Sequence, residues 1–214
     1  MNALSYVLMA DIIKSRDLNQ ERLINSFKQS VDRINTSCKK NIQSPLTITL
    51  GDEFQGVMTD LSGAVNTILA LEEDMVVTAV PFKLRYVLME GKIETPINSK
   101  IAYGMLGPGL TQARETLNNL KETPQRFNFV LTNQELSGIL NEAFIVYQQV
   151  VDDWNIEKDG ELIKNFLLLK DYKLVAEKLH KNRSLMWKRE KSLKVEEYEA
   201  MKKIINYIAK TSYG

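Results

Sequence analysis

The stretch LTITLGDEFQGVM, residues 46–58, decides the fold. Leu46, Ile48 and Leu50 alternate with Thr47 and Thr49, the period of a strand with one buried face. Gly51 and Asp52 then interrupt the pattern, and a residue without a side chain allows the tight turn required there. Glu53 to Met58 runs back, anchored by Phe54 and Val57. The stretch predicts a hairpin with acids at its tip.

Upstream, Ser5 to Ile13 is a short apolar run and predicts a buried central strand ending at Asp11. Ser15-Arg16-Asp17 reads as a turn. Asn19 to Cys38 reads as an amphipathic helix, with Leu23, Ile24, Phe27, Val31 and Ile34 at helical spacing. Lys39 to Pro45 is a polar connector into the hairpin. Downstream, Ser62 to Asp74 is helical, and Pro81 opens a strand over Phe82 to Glu90. Gly91 to Lys100 is a loop, Ile101-Ala102-Tyr103 a brief strand, Gly104 to Gly109 a glycine-rich turn and Leu110 to Leu120 a helix. Phe127 to Leu131 is a strand. Thr132, with Glu135 at capping-box spacing, starts a helix that runs towards Val151.

A strand-helix-hairpin-helix-strand order is the ferredoxin-like plan. The polar break Asp152 to Gly160 reads as a domain boundary, and the periodicity after it is helical throughout. The expected fold class is therefore α+β: a ferredoxin-like sheet-and-helix domain over residues 1–152, then a small all-α helix-turn-helix domain over 156–214.

The 214 residues are 44% hydrophobic and 26% charged, ordinary for a soluble globular chain. The net charge of +1 divides unevenly: residues 155–214 carry +5, which points to an acidic or nucleic-acid partner for that part. A single cysteine, Cys38, excludes an intrachain disulfide and a Cys-rich zinc site. The N-terminal MNALSYVLMADII lacks a basic cluster and is broken by an acid, so a signal peptide is not expected. No run approaches 18 apolar residues. The expectation is a cytoplasmic protein with no membrane span.

In the ferredoxin-like plan the first strand and the hairpin are neighbours, which brings Asp11 and Asp52 towards one space. Two carboxylates that close repel each other unless a cation lies between them. Mg²⁺ suits such a pair, because it takes one or two protein carboxylates and completes its shell with water and phosphate oxygens. The same acids also fit ordinary turn residues, since an acid after a strand is common. Gly104, Gly107 and Gly109 precede a helix, where free N–H groups favour phosphate. Their spacing matches neither a P-loop nor a dinucleotide fingerprint, and with Pro108 they read more simply as a turn into the first helical turn.

The pair ADII near the N-terminus and LGDEF in the hairpin resembles the class III nucleotidyl cyclase and GGDEF diguanylate cyclase superfamily. The resemblance implies a nucleoside triphosphate ligand, metal ligation by Asp11 and Asp52, and Glu53 as a secondary candidate. The segment AYGMLGPGLTQAR, residues 102–114, is similar in position to the cyclase loop and helix whose Arg contacts phosphate, which makes Arg114 the match. Leu50 replaces the first glycine of GGDEF, Ile48 stands near the base-reading Lys of class III cyclases, and Leu110 or Thr111 stands at their Asn. The resemblance therefore extends to metal and phosphate rather than to base selection and cyclisation.

Tyr172 to Leu193, YKLVAEKLHKNRSLMWKREKSL, has the packing pattern of a helix-turn-helix. Ala176 allows close helix approach, Val175, Leu179 and Met186 are core positions, and Asn182 or Ser184 caps the second helix. Residues 170–194 carry +6. Arg183, Ser184, Trp187, Lys188 and Lys191 are expected to point outward and contact DNA. His180 occupies the usual turn glycine. The alternative is a basic helical domain that packs on the first domain or makes a dimer.

ADIIKSRDL, TLGDEFQG, the Arg-bearing helix near residue 113, Asp153-Trp154 and the C-terminal helices together resemble the SatD family over nearly the full length. The leading expectation is a ligand-responsive, transcription-regulator-like DNA-binding homodimer whose cyclase-like domain binds a nucleotide, a divalent metal or both. The alternative is a Mg²⁺-dependent nucleotidyl cyclase or nucleotidyl transferase using Asp11 and Asp52.

Overall fold

The first strand, β1 (Leu4–Ile12), is apolar on both faces, which suits only the middle of a covered sheet. Leu8, Ala10 and Ile12 point to one face, and Val7 and Met9 to the other. The computed structural model describes residues 4–15, 20–80 and 82–211. The remaining elements are α1 (Gln20–Ser37), β2 (Ile42–Ile48), β3 (Glu53–Met58), α2 (Leu61–Val77), β4 (Leu84–Lys92), α3 (Pro108–Leu120), β5 (Phe127–Val130) and α4 (Gln134–Asp152). After them come α5 (Ile156–Leu169), α6 (Tyr172–Lys178), α7 (Arg183–Ser192) and α8 (Val195–Thr211).

The five-stranded sheet has the order β2-β3-β1-β4-β5. Its first four strands run antiparallel to their neighbours, and β5 is added parallel to β4 through the α3 crossover. This is the expected ferredoxin-like plan with one strand added. One face, carrying Leu8, Phe54 and Tyr86, packs on α1, α2 and α4. The other, carrying Met9, Val57 and Val87, packs on α3 and on the segment before it. Because strand residues alternate, this second face also receives Asp11, Glu53 and Arg85 where its apolar cover ends.

Several local expectations are corrected. Residues Ile42–Pro45, read as connector, belong to β2. A proline is tolerated there because β2 is the sheet edge and its pairing slips between Ser44 and Thr47. Leu50 is 70% exposed because it lies in the turn, beyond the buried face. Ile101–Tyr103 forms no strand: the Ala102 N–H donates to Thr47 Oγ1 at 2.9 Å, and its carbonyl accepts from the Gln55 amide. Asn133, not Thr132, caps α4, since Thr132 is drawn onto the Glu90 carboxylate. The polar break shrinks to Asp153–Asn155, because Asn155 caps α5 immediately. Arg16, Asp17, Asn19 and Pro81 lie outside the described residues.

The glycine-rich segment serves packing. A side chain at Gly91 of β4 would meet Gly109 Cα at 2.5 Å, and one at Gly107 would meet the Lys92 carbonyl oxygen at 2.6 Å. The backbones of β4 and α3 thus touch, which fixes α3 over the sheet. Gly91→Ala forces them apart and is expected to cost roughly 1–3 kcal/mol; urea unfolding measures it, and an unchanged midpoint contradicts the packing role.

The C-terminal helices join the same apolar core. Tyr198 and Ile205 of α8 are buried against α2 and α4. The Trp154 ring lies tilted against Tyr198, 5.0 Å between centres, and donates its indole N–H to the Leu193 carbonyl at 2.8 Å. Val175, Ala176 and Met186 are buried between α6 and α7 as their spacing predicts. Among the described residues no helix is long and apolar enough to cross a membrane.

Candidate functional site

The hairpin turn sets the geometry. Gly51 has φ +81°, and the Thr49 N–H donates to the Glu53 carbonyl at 2.9 Å, closing the loop. The Asp52 carbonyl accepts from the Ile12 N–H at 2.9 Å, and its carboxylate accepts from the Ser15 hydroxyl at 2.6 Å. The tip is therefore tied to the end of β1. Asp11 lies opposite Glu53 on one side and Arg85 on the other.

Across from these strands, α3 contributes two cations. Arg114 pairs with Glu53 Oε1, and Lys121, just past the helix end, lies 3.1 Å from Asp11 Oδ2. Arg85 Nη1 is 3.6 Å from Asp11 Oδ1. Asp11 and Glu53 are each only 4% exposed. Asp11 Oδ1 is buried without a hydrogen-bond donor among the described residues.

Burial pushes the Asp11 carboxyl pKa up, and Lys121 and Arg85 offset this only in part. Burial likewise lowers the Arg114 pKa, with Asp11 acting in the opposite sense. An acid whose folded pKa lies above its unfolded value favours folding least once ionised. Its cost is absent below the unfolded pKa and fully present above the folded one. Asp11→Asn is thus expected to gain stability relative to the natural protein as pH rises through the carboxylate range. Melting temperatures of both proteins from acid to neutral pH measure the gap, and a gap that is flat or narrows towards neutrality contradicts this ordering.

The structure places Asp11, Asp52, Glu53 and Arg114 at one end of the sheet, with Asp11 opposite Glu53 and Arg114 on Glu53. It adds Arg85 and Lys121, which sequence reasoning missed. Arg85 had a signal: it is the charged residue on the α3-facing side of an apolar strand. Lys121 had none, lying beyond the last apolar residue of α3.

No group of three His, Cys, Asp or Glu residues among the described residues is placed to hold a metal ion. What the site offers is an Asp11 oxygen that accepts no hydrogen bond, 3.6 Å from Arg85 Nη1, and the Asp52 carboxylate at the hairpin tip tied to the end of β1. That donor set fits a Mg²⁺ ion that arrives with phosphate and water oxygens, and does not fit an all-protein cage.

The match to known sequences is direct. The SatD family model covers residues 6–208. The chain belongs to the SatD family. No curated protein matches this family member in sequence. Solved structures that resemble part of it include a bacterial light-regulated adenylyl cyclase, 15% identical, covering 60% of this chain and 76% of that one at a TM-score of 0.44. The guanylate cyclase domain of RhGC from Catenaria anguillulae, in complex with GTP, is 16% identical, with coverages of 60% and 78% and a TM-score of 0.42. The adenylyl cyclase CyaB from P. aeruginosa is 15% identical, with coverages of 56% and 73% and a TM-score of 0.41. The likeness is one of partial chain path, and the activities are those of the proteins named.

On α7, Arg183, Ser184, Trp187, Lys188 and Lys191 are all exposed, Trp187 by 46%. Lys191 is engaged by Glu196. His180 takes the left-handed turn conformation at φ +51°, and the Asn182 side chain accepts from the Ser184 and Leu185 N–H groups.

Proposed function

We propose that this SatD protein binds a nucleoside triphosphate with Mg²⁺ at the end of its sheet and transfers the nucleotidyl group with release of pyrophosphate. The observation that carries this is Asp11: a buried carboxylate with one oxygen that accepts no hydrogen bond, flanked by Arg85 and Lys121, with the Glu53–Arg114 pair next to it across the strands. Both Asp11 oxygens face a cation, yet Oδ1 accepts no hydrogen bond. Asp11 and Asp52 would hold the metal, and Arg114, released from Glu53, would take phosphate oxygens. Mg²⁺, when bound, neutralises phosphate charge and polarises the phosphorus–oxygen bonds. The chain's residues would orient the triphosphate and keep Asp11 and Glu53 dry. Cyclisation and transfer to an external hydroxyl are both compatible with this set.

The test is pyrophosphate release from ATP or GTP with Mg²⁺ or Mn²⁺. Release that is lost in Asp52→Asn and in Asp11→Asn supports the reading. Absence of release with every nucleotide and metal removes the transferase activity, and binding alone is then decided separately. Homodimerisation belongs to the same reading and is measured by sedimentation.

A second reading, a ligand-responsive DNA-binding regulator, is favoured by the α6–α7 pair with its left-handed turn at His180 and the exposed face of α7. Lys188→Ala with Lys191→Ala is expected to weaken DNA binding and to flatten its dependence on salt, since fewer counterions are released. Unchanged affinity and slope count against it.

A further inference from the structure

We infer that Lys121 is the resident cation of this site, holding Asp11 until phosphate draws it away, so that divalent metal enters together with a polyphosphate and not before it. The second half rests on the nucleotide reading above; the first does not.

Asp11 is buried, and one carboxylate flanked by cations at 3.1 and 3.6 Å has little attraction left for a third. The two partners are not equivalent. Arg85 sits in β4 with its side chain 16% exposed and is fixed by the sheet. Lys121 follows the last turn of α3 and its side chain is 39% exposed. A lysine there has a flexible stem and a solvated route outward, so it is the partner that can leave. Its departure uncovers Asp11 on the side facing α3, where Arg114 lies two turns earlier on the same helix. A polyphosphate offers both cations new partners: Lys121 would leave Asp11 and Arg114 would leave Glu53, and the uncovered Asp11 carboxylate would hold the metal. Ligand-free protein then has little affinity for the metal alone, which protects a buried acid from free divalent cations.

The experiment measures Mn²⁺ uptake by the full chain without nucleotide, from the loss of the free-ion electron paramagnetic resonance signal. Lys121→Met retains the aliphatic stem and removes the charge; Lys121→Gln is a second variant, and thermal unfolding establishes that each is folded. Both are expected to bind Mn²⁺ on the order of tenfold or more tighter than the natural protein, and Asp11→Asn added to Lys121→Met is expected to abolish the gain. Equal uptake by natural and variant proteins, or a gain that survives Asp11→Asn, overturns the inference. Retention of ATP or GTP on dialysis, with and without Mn²⁺, is measured in parallel. If no nucleotide is retained the proposed function fails, while the metal-only titration still decides the role of Lys121.

Discussion

Arg126→Met is expected to destabilise the protein by about 3–5 kcal/mol, the range for breaking a buried ion pair on one side. Arg126 is 3% exposed. Its guanidinium donates to both oxygens of Glu72 at 3.0 and 2.8 Å, to Asp152 at 3.0 Å and to the Leu84 carbonyl at 2.9 Å. It also lies 4.8 Å from the centre of the Phe127 ring. One side chain thus fastens α2, the start of β4 and the end of α4, next to the packing surface of α8. Methionine fills much of the volume but leaves Glu72, itself 6% exposed, as an unpaired buried charge. For a chain of this length the loss is roughly 10 °C in melting temperature. Glu72→Leu added to Arg126→Met is expected to recover much of it, because removing both partners leaves no stranded charge. A single variant within about 1 kcal/mol of the natural protein contradicts this account of the junction.

Asp52→Asn is expected to have the largest functional effect with little change in fold. The substitution preserves shape, the backbone carbonyl still accepts from Ile12, and the amide oxygen can still accept from Ser15. Only the charge is lost. If Asp52 is a ligand to a metal-bound triphosphate, nucleotide affinity in the presence of Mg²⁺ falls on the order of a hundredfold, the scale of losing one desolvated charged partner. Without metal the two proteins retain nucleotide alike. Equilibrium dialysis with ATP and GTP measures both conditions, and equal retention with Mg²⁺ contradicts the role of Asp52.

Much of this was legible in the chain. The period of two in residues 46–50, the turn glycine and the apolar Ser5–Ile13 run led to the ferredoxin-like plan with the first strand beside the hairpin. That plan pointed to Asp11 and Asp52 as the pair, whereas the register sets Glu53, not Asp52, opposite Asp11. The C-terminal helices were readable from Val175, Ala176 and Met186, which are buried as their spacing requires. The edge strand started earlier than its pattern, because Pro45 reads as a breaker and an edge with slipped pairing tolerates it. Asn133 took the cap from Thr132 because Glu90, distant in sequence, engaged the threonine. Arg126 and Lys121 were invisible for a common reason: each lies in a polar segment, and each matters through a partner from another element. Glycines 107 and 109, which suggested phosphate, answer to the backbone of β4.

Thermal unfolding with ATP or GTP, with and without Mg²⁺, on the natural protein and Asp52→Asn addresses the nucleotide site itself. A ligand at about 100 times its dissociation constant adds about 2.7 kcal/mol, which is roughly 5–10 °C for a chain of this length. A shift of that size that requires both the metal and Asp52 is the result expected here. No shift with either nucleotide, or a shift indifferent to Mg²⁺ and to Asp52→Asn, contradicts a metal-dependent nucleotide site at the end of the sheet.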